Sequence, residues 1–391
     1  MSTRDEFLNA VSVTQGPQHH FFGYYDKSCW NAAGRRIVGL ETAFMDHPPT
    51  EDDCATIGLI DTTTPVKWTP LAQTKAWNWQ QGCMLQWLGS SESIIFNDRE
   101  GDRFVSRILD VETGRERTLE RPVYAVSPQG THAISLSFSR LQHQRPGYGY
   151  PGVADPYKDV PEPTDDGLYH LDLETGASRL ILSVAEVAAF ERCPEFDGKM
   201  HRFNHAQFNT DGSRFAFLHR YKSPDEEVGH TRLMTANPDG SDLRCLAHSE
   251  LVSHYDWRDP HTIIVWTRRP GEKPAYVLYS DGGGQAEAIG TDLFNTDGHC
   301  SFSPDGRWVL TDTYPDKEDM RTLILYDWQN NLRVNIGRFY APPMEWQIRC
   351  DLHPRWSRDG RQVCIDSIHE GSRQMYVLDV SSVTQPIQTL A

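Results

Sequence analysis

The sequence predicts an all-β protein, a seven-bladed β-propeller of four-stranded antiparallel blades, and three observations lead there. The first is a recurring phrase: an anchor residue, an aromatic three positions later, a D-G-type turn, then an alternating apolar stretch. It reads HAQFNTDGSRFAFLHR from His205, HYDWRDPHTIIVWTR from His254, HCSFSPDGRWVLTDTY from His299 and HPRWSRDGRQVCIDS from His353, with looser copies from Lys27, Met84 and Val123. Turn and alternation are those of an antiparallel hairpin. The second is a further strand after each copy, ending near a polar turn: IGLIDTTT, SRILDVETG, YHLDLETG, RLMTANPDG, YVLYSDGG, LILYDWQN and MYVLDVSS. The third is spacing, because all anchors except Val123 and His205 follow one another at roughly 39–57 residues, the length of one propeller blade.

Residues 1–391 are therefore expected to form one propeller with one long insertion in blade 3, LQHQRPGYGYPGVADPYKDVPEPTDD (141–166). Its Pro, Gly and Tyr content suits a non-repetitive loop folded over one mouth of the channel. SVAEVAAFE, from Ser183, reads as a serine-capped helix. The last outer strand is supplied by FLNAVSVT near the start or by PIQTL at the end. FNDREGDR (96–103) reads as a solvated hairpin.

Eleven Trp, fifteen Tyr and sixteen Phe supply core volume where aliphatic runs are short. No run reaches the roughly 18 apolar residues of a membrane span, and the first residues lack the pattern of a secretion signal. The eight cysteines are scattered without a CxxC pair, which fits a reducing compartment. A cytoplasmic monomer or dimer is expected. A net charge of −16 disfavours nucleic acid and anionic membrane as partners; a short acidic ligand needs a locally basic site.

Equivalent positions on the innermost strands of a propeller lie at equal height around the channel. His205, His254, His299 and His353 should then form an arc on four consecutive blades. Imidazoles converging from neighbouring strands are suited to a divalent metal such as Zn²⁺ or Mn²⁺, and Cys350, three residues before His353, offers a thiolate at the same mouth. A tetrahedral ion needs four of these five.

FNHAQFNTDG, SHYDWRDP, GHCSFSPDG, CDLHPRWSRDG and DSIHEG resemble blades four to seven of the oligogalacturonate lyase family, over roughly residues 166–372. The resemblance implies a cytoplasmic propeller with Mn²⁺ in its channel, held by histidines matching His254 and His353, a glutamine where Cys350 stands and a histidine where Arg355 stands. The two departures favour Zn²⁺ over Mn²⁺, with His205 or His299 completing the set. The catalytic arginine of that family precedes the blade-three strand, where this chain has Gly167. QHHFFGYYDKSCW, NWQQGCMLQW and SFSRLQHQRPGYGYPG resemble a wider group that includes ulvan lyases, which eliminate with histidine and tyrosine, and enzymes cleaving rhamnose linked to glucuronate by lyase or hydrolase chemistry.

Uronate elimination needs neutralisation of the C5 carboxylate, a base for the α-proton and an acid for the leaving oxygen. The long loop and its flank hold all these residue types. His143 is the expected base and Tyr150 the expected acid, with Arg145 and Arg202 as carboxylate clamps. Arg140, Tyr148 and His20 are further substrate-binding candidates, and Trp79, Trp257, Trp346 or Tyr24 could stack on a sugar. The leading reading is a metal-containing lyase acting on an acidic oligosaccharide by β-elimination. A glycoside hydrolase of rhamnosyl-glucuronate and a non-enzymatic TolB-like binding propeller remain alternatives.

Overall fold

The computed structural model describes residues 2–62, 67–223, 226 and 229–385, and shows seven antiparallel sheets arranged as consecutive blades. Blade 1 comprises His19–Phe21, Arg36–Thr42, Ala55–Asp61 and Trp68–Thr74; blade 2, Gln86–Trp87, Ser93–Glu100, Arg103–Asp110 and Glu116–Leu119. Blade 3 comprises Ala125–Val126, His132–Ser135, Gly167–Asp172 and Ser178–Ser183; blade 4, Met200–Phe208, Phe215–Lys222, His230–Ala236 and Arg244–Ser249. Blade 5 is Val252–Asp259, Thr262–Thr267, Ala275–Ser280 and Glu287–Ile289. In blade 6, Ser301–Phe302, Trp308–Thr311, Met320–Asp327 and Leu332–Tyr340 are joined by Ser2–Asp5, which pairs parallel to the outermost strand.

Blade 7 settles how the ring closes. Arg355–Trp356, Gln362–Ser367 and Gln374–Asp379 come from the end of the chain, and Ala10–Ser12 supplies the fourth strand. The N-terminal FLNAVSVT stretch is therefore a closing strand; PIQTL lies outside the described residues. Among the described residues no helix is long and apolar enough to cross a membrane.

The recurring phrase has a common physical role. Its aromatics, Trp30, Trp87, Phe208, Trp257, Phe302 and Trp356, are all buried between blades. The turn that follows needs a left-handed residue: Gly306 sits at φ +69° and returns its N–H to the Ser303 carbonyl at 2.8 Å, while the Asp305 carboxylate accepts from the Arg307 N–H.

Two features shape the channel. The 141–166 loop does not begin as irregular chain, since a helix, α1, spans Phe138–Gln144 with Ser137 as its cap. The second helix, α2 (Val184–Ala189), has the expected Ser183 cap, completed by Glu186 as a capping box. In blade 1 the segment after Phe21 crosses the channel rather than lining it. Tyr24 reaches His205 of blade 4, and Tyr25 donates to the Tyr255 carbonyl of blade 5 at 2.9 Å. Asp366 anchors this crossing by accepting from the N–H groups of Phe22 and Gly23 at 3.2 and 3.3 Å. Arg355, fully buried, pairs with Asp366 at 2.7 Å. Arg355→Met would leave that carboxylate buried without its partner. We expect a stability loss of about 3–5 kcal/mol, read as a lower urea midpoint at unchanged m-value.

Candidate functional site

The histidines of the repeat converge at one mouth of the channel. The ring centroids of His254 and His299 are 4.3 Å apart, as are those of His299 and His353, and His205 lies 6.1 Å from His254. Tyr24 packs among the four, 4.7 Å from His205 and 5.2 Å from His353. His205 and His353 adopt left-handed backbone, φ +54° and +42°. Such geometry in a non-glycine residue costs on the order of 1–3 kcal/mol and concentrates at functional sites.

Within this arc His299, Asp351 and His353 bring ligand atoms to within 4.8 Å of one another. His353 Nε2 is buried without a hydrogen-bond partner among the described residues, as suits a donor directed at a cation, while Asp351 is ion-paired with Arg349 through Oδ2 at 2.5 Å and with Arg321 through Oδ1 at 3.6 Å. Carboxylates hold the other ring nitrogens: Asp297 sits 3.1 Å from His254 Nδ1 and Asp312 2.8 Å from His299 Nδ1. Such partners fix tautomer and ring direction beside a metal. Burial pushes His254 and His353 below the usual imidazole range, which keeps them neutral and available as ligands. Burial acts the same way on His299, but Asp312 overrides it and raises the group. Asp312→Asn is expected to weaken metal binding by about 10–100-fold, read by titration of the metal-free protein.

Three expected ligands, Cys350, His205 and His254, fall outside this group of three, His254 lying beside it with its ring 4.3 Å from His299. Cys350 is buried against Ala341 and Ile368, its thiol raised by desolvation, and takes no part in the cluster. Asp351, the next residue, takes that place; its i, i+2 spacing to His353 was the available signal. His205 is engaged by the Tyr24 hydroxyl, 3.0 Å from Nε2. Arg355, where the resemblance implies a histidine, belongs to the buried ion pair described above. The expectation of zinc rests on Cys350 for glutamine and on the histidine lost at Arg355; without the thiolate, a nitrogen and oxygen set suits Mn²⁺ as well as Zn²⁺.

Beside the arc opens a pocket of about 420 Å³. The long loop contributes Arg145 and Tyr148, blade 4 contributes Arg202, His205, Arg220 and Lys222, and the blade 6–7 connection contributes Trp346 and Arg349. Arg202 and Arg220 face each other directly across the first two strands of blade 4. Arg202 is buried, and its Nε and Nη1 have no hydrogen-bond partner among the described residues. Desolvation, with Arg220, Arg145 and Arg140 nearby, lowers its pKa to about 9. Arg220 donates to Asn204 Oδ1 and Thr231 Oγ1 at 3.1 and 3.2 Å. Neither arginine forms an ion pair with a carboxylate among the described residues. Arg145 lies over Trp346 at 4.2 Å, and Tyr148 stacks on the same indole at 6.1 Å.

Several expected site residues stand elsewhere. His143 is exposed on α1, whose inward face is Phe138, Arg140 and Leu141, and it does not line the pocket. Tyr150 is fully buried, stacked on Phe138 at 4.5 Å, its hydroxyl accepting from Asn97 at 3.0 Å. The expected His143–Tyr150 acid–base pair is thus not assembled. Arg140 is a clasp: it donates to the carbonyls of His201, Tyr157, Val160 and Pro161 at 2.7–3.0 Å and holds the loop closed. His20 is buried between Gln374 and Glu41, 3.0 Å from each. Trp79 and Trp257 are core residues, which leaves Trp346 as the indole at the pocket. Sequence reasoning missed Arg220 and Lys222, although their alternation in HRYK places both on one side of a strand.

No protein-family model matches the chain, and no curated protein does. Solved structures do. An oligogalacturonate lyase in complex with manganese is 16% identical with a TM-score of 0.68, over 96% of this chain and 94% of that one. The oligogalacturonate lyase of Vibrio parahaemolyticus is 14% identical with a TM-score of 0.65, over 95% and 94%. A puromycin hydrolase is 15% identical with a TM-score of 0.56, over 97% of this chain but 56% of that one. At these identities the likeness is one of fold, and the chain shares the seven-bladed propeller of the oligogalacturonate lyases over nearly its whole length.

Proposed function

We propose that the chain is a lyase that cleaves uronate-containing oligosaccharides by β-elimination in the pocket between the long loop and the histidine arc. The observation that carries this reading is Arg202 facing Arg220 with no ion-paired carboxylate among the described residues, in a chain of net charge −16. Like charges directly opposite one another destabilise a strand pair, and a bound carboxylate relieves that. Arg145, Lys222 and Arg349 line the same space, and Trp346 offers an apolar face for a sugar ring.

His254, His299, His353 and Asp351 are the residues that would hold a divalent ion, Mn²⁺ or Zn²⁺; when bound, it supplies charge neutralisation to the uronate carboxylate. Arg220 and Arg145 clamp the same acidic group. Arg202 takes the C5 proton: a guanidinium lowered to about 9 has an accessible neutral form. As the C5–H pair becomes the C4–C5 double bond, the C4–O bond breaks and the Tyr148 hydroxyl protonates the leaving oxygen. No water is consumed.

Gly167, where the resemblance implies the catalytic arginine, has no room for a side chain, because a Cβ there would meet the Leu182 carbonyl oxygen at 2.1 Å. Arg202 lines the same small cavity from the neighbouring blade and supplies the missing guanidinium. Eight free cysteines fit a reducing, cytoplasmic setting in which short imported oligosaccharides are the substrate.

The test is a screen of uronate oligosaccharides, including oligogalacturonate, ulvan fragments and rhamnosyl-glucuronate, with metal-loaded protein. An unsaturated, ultraviolet-absorbing product from at least one of them is expected. Turnover without that chromophore would favour the hydrolase, and binding without turnover a binding propeller.

A further inference from the structure

A second group of side chains of metal-ligand type lies outside the central pocket, on the outer side of blade 4. Between α2 and the first strand of that blade the chain makes a short 3₁₀ turn, Pro194–Phe196, with Cys193 at its cap in extended conformation. The turn is seated by Phe196. This ring is fully buried and packs against His201, His219, Tyr221 and His248 at centroid distances of 5.5, 5.8, 4.5 and 6.1 Å. Arg232 lies over its face at 4.7 Å and donates to the Val187 and Phe190 carbonyls at the end of α2.

This docking brings Cys193 and Glu195 against His248 of the outermost strand. The thiol sulfur, a carboxylate oxygen and a ring nitrogen lie within 4.8 Å of one another. The Tyr221 hydroxyl engages His248 Nε2 at 2.6 Å and fixes the orientation of the ring. Thiolate, imidazole and carboxylate are the three ligand types that zinc takes from proteins. His248 and Glu195 are exposed and Cys193 partly so, which leaves an entry path and a position open to water.

We propose that Cys193, Glu195 and His248 form a peripheral site for a zinc-class divalent cation, distinct from the histidine arc. The cation ties the turn at 193–195 to the outermost strand of blade 4 and so steadies the entry into Met200–Phe208, the strand that carries Arg202 and His205. The thiol proton is released to solvent on binding. This inference does not rest on the lyase reading.

Cobalt substitution tests it, because a thiolate ligand gives Co²⁺ a charge-transfer absorption band that histidine and carboxylate do not. The full-length chain, stripped by a chelator and reloaded with Co²⁺, should show that band. His353→Gly should keep it, Cys193→Ser should abolish it, and His248→Gln should weaken Co²⁺ affinity at this site by at least tenfold. Absence of the band from the loaded wild-type protein overturns the proposal. So does a band that survives Cys193→Ser, or one lost only in Cys350→Ser, which would place the thiolate at the arc instead.

Discussion

Arg202→Met is expected to lower kcat/KM for uronate elimination by about 10²–10⁴-fold, the range lost with a general base, while leaving stability unchanged or raising it. The two effects have one cause. The wild-type guanidinium is buried, has no hydrogen-bond partner at Nε and Nη1 among the described residues, and faces Arg220 across the sheet. Methionine fills similar volume without the desolvation and repulsion that the charge suffers. An arginine kept for structure would behave in the opposite way on removal, as Arg355→Met should. The pH profile gives a second signature. With the group lowered to about 9 by burial and neighbouring cations, its neutral form grows as pH rises. Wild-type kcat/KM should climb along a limb with that pKa, and the residual activity of the variant should lack it.

The second large effect belongs to the arc. His353→Gly removes one ligand while accepting the left-handed backbone, φ +42°, without strain. The variant should fold, hold one divalent ion fewer per chain than the wild type, and lose more affinity at the arc than the about 10–100-fold expected from outer partners such as Asp312. Metal analysis after gel filtration reads this directly. Full occupancy in the variant would remove His353 from the set and leave its orphaned Nε2 without an explanation.

How much of this was legible in the sequence differs between scaffold and site. The blade repeat was legible because hairpin turns and buried aromatics recur with one period, and the histidine register followed from it. The segment FGYYDK was not, because it leaves the repeat geometry to cross the channel, and only three dimensions reveal Tyr24 beside His205. The long loop misled for a local reason. A serine-capped helix over Phe138–Gln144 turns Phe138, Arg140 and Leu141 inward and His143 outward, a helical period that a loop reading does not contain. Cys350 was expected to offer a thiolate, whereas packing against Ala341 and Ile368 decides where the thiol lies, and Asp351 next to it was missed. The facing of Arg202 and Arg220 depends on strand register across a bulge between Asn204 and Gln207, which residue types alone do not specify.

The most direct test of the central claim is the mass of the products formed from a defined uronate oligosaccharide by the metal-loaded protein. Elimination predicts fragments whose masses sum to that of the substrate, with the unsaturated sugar at the new non-reducing end. Fragments that together weigh one water more than the substrate would show hydrolysis and contradict the account.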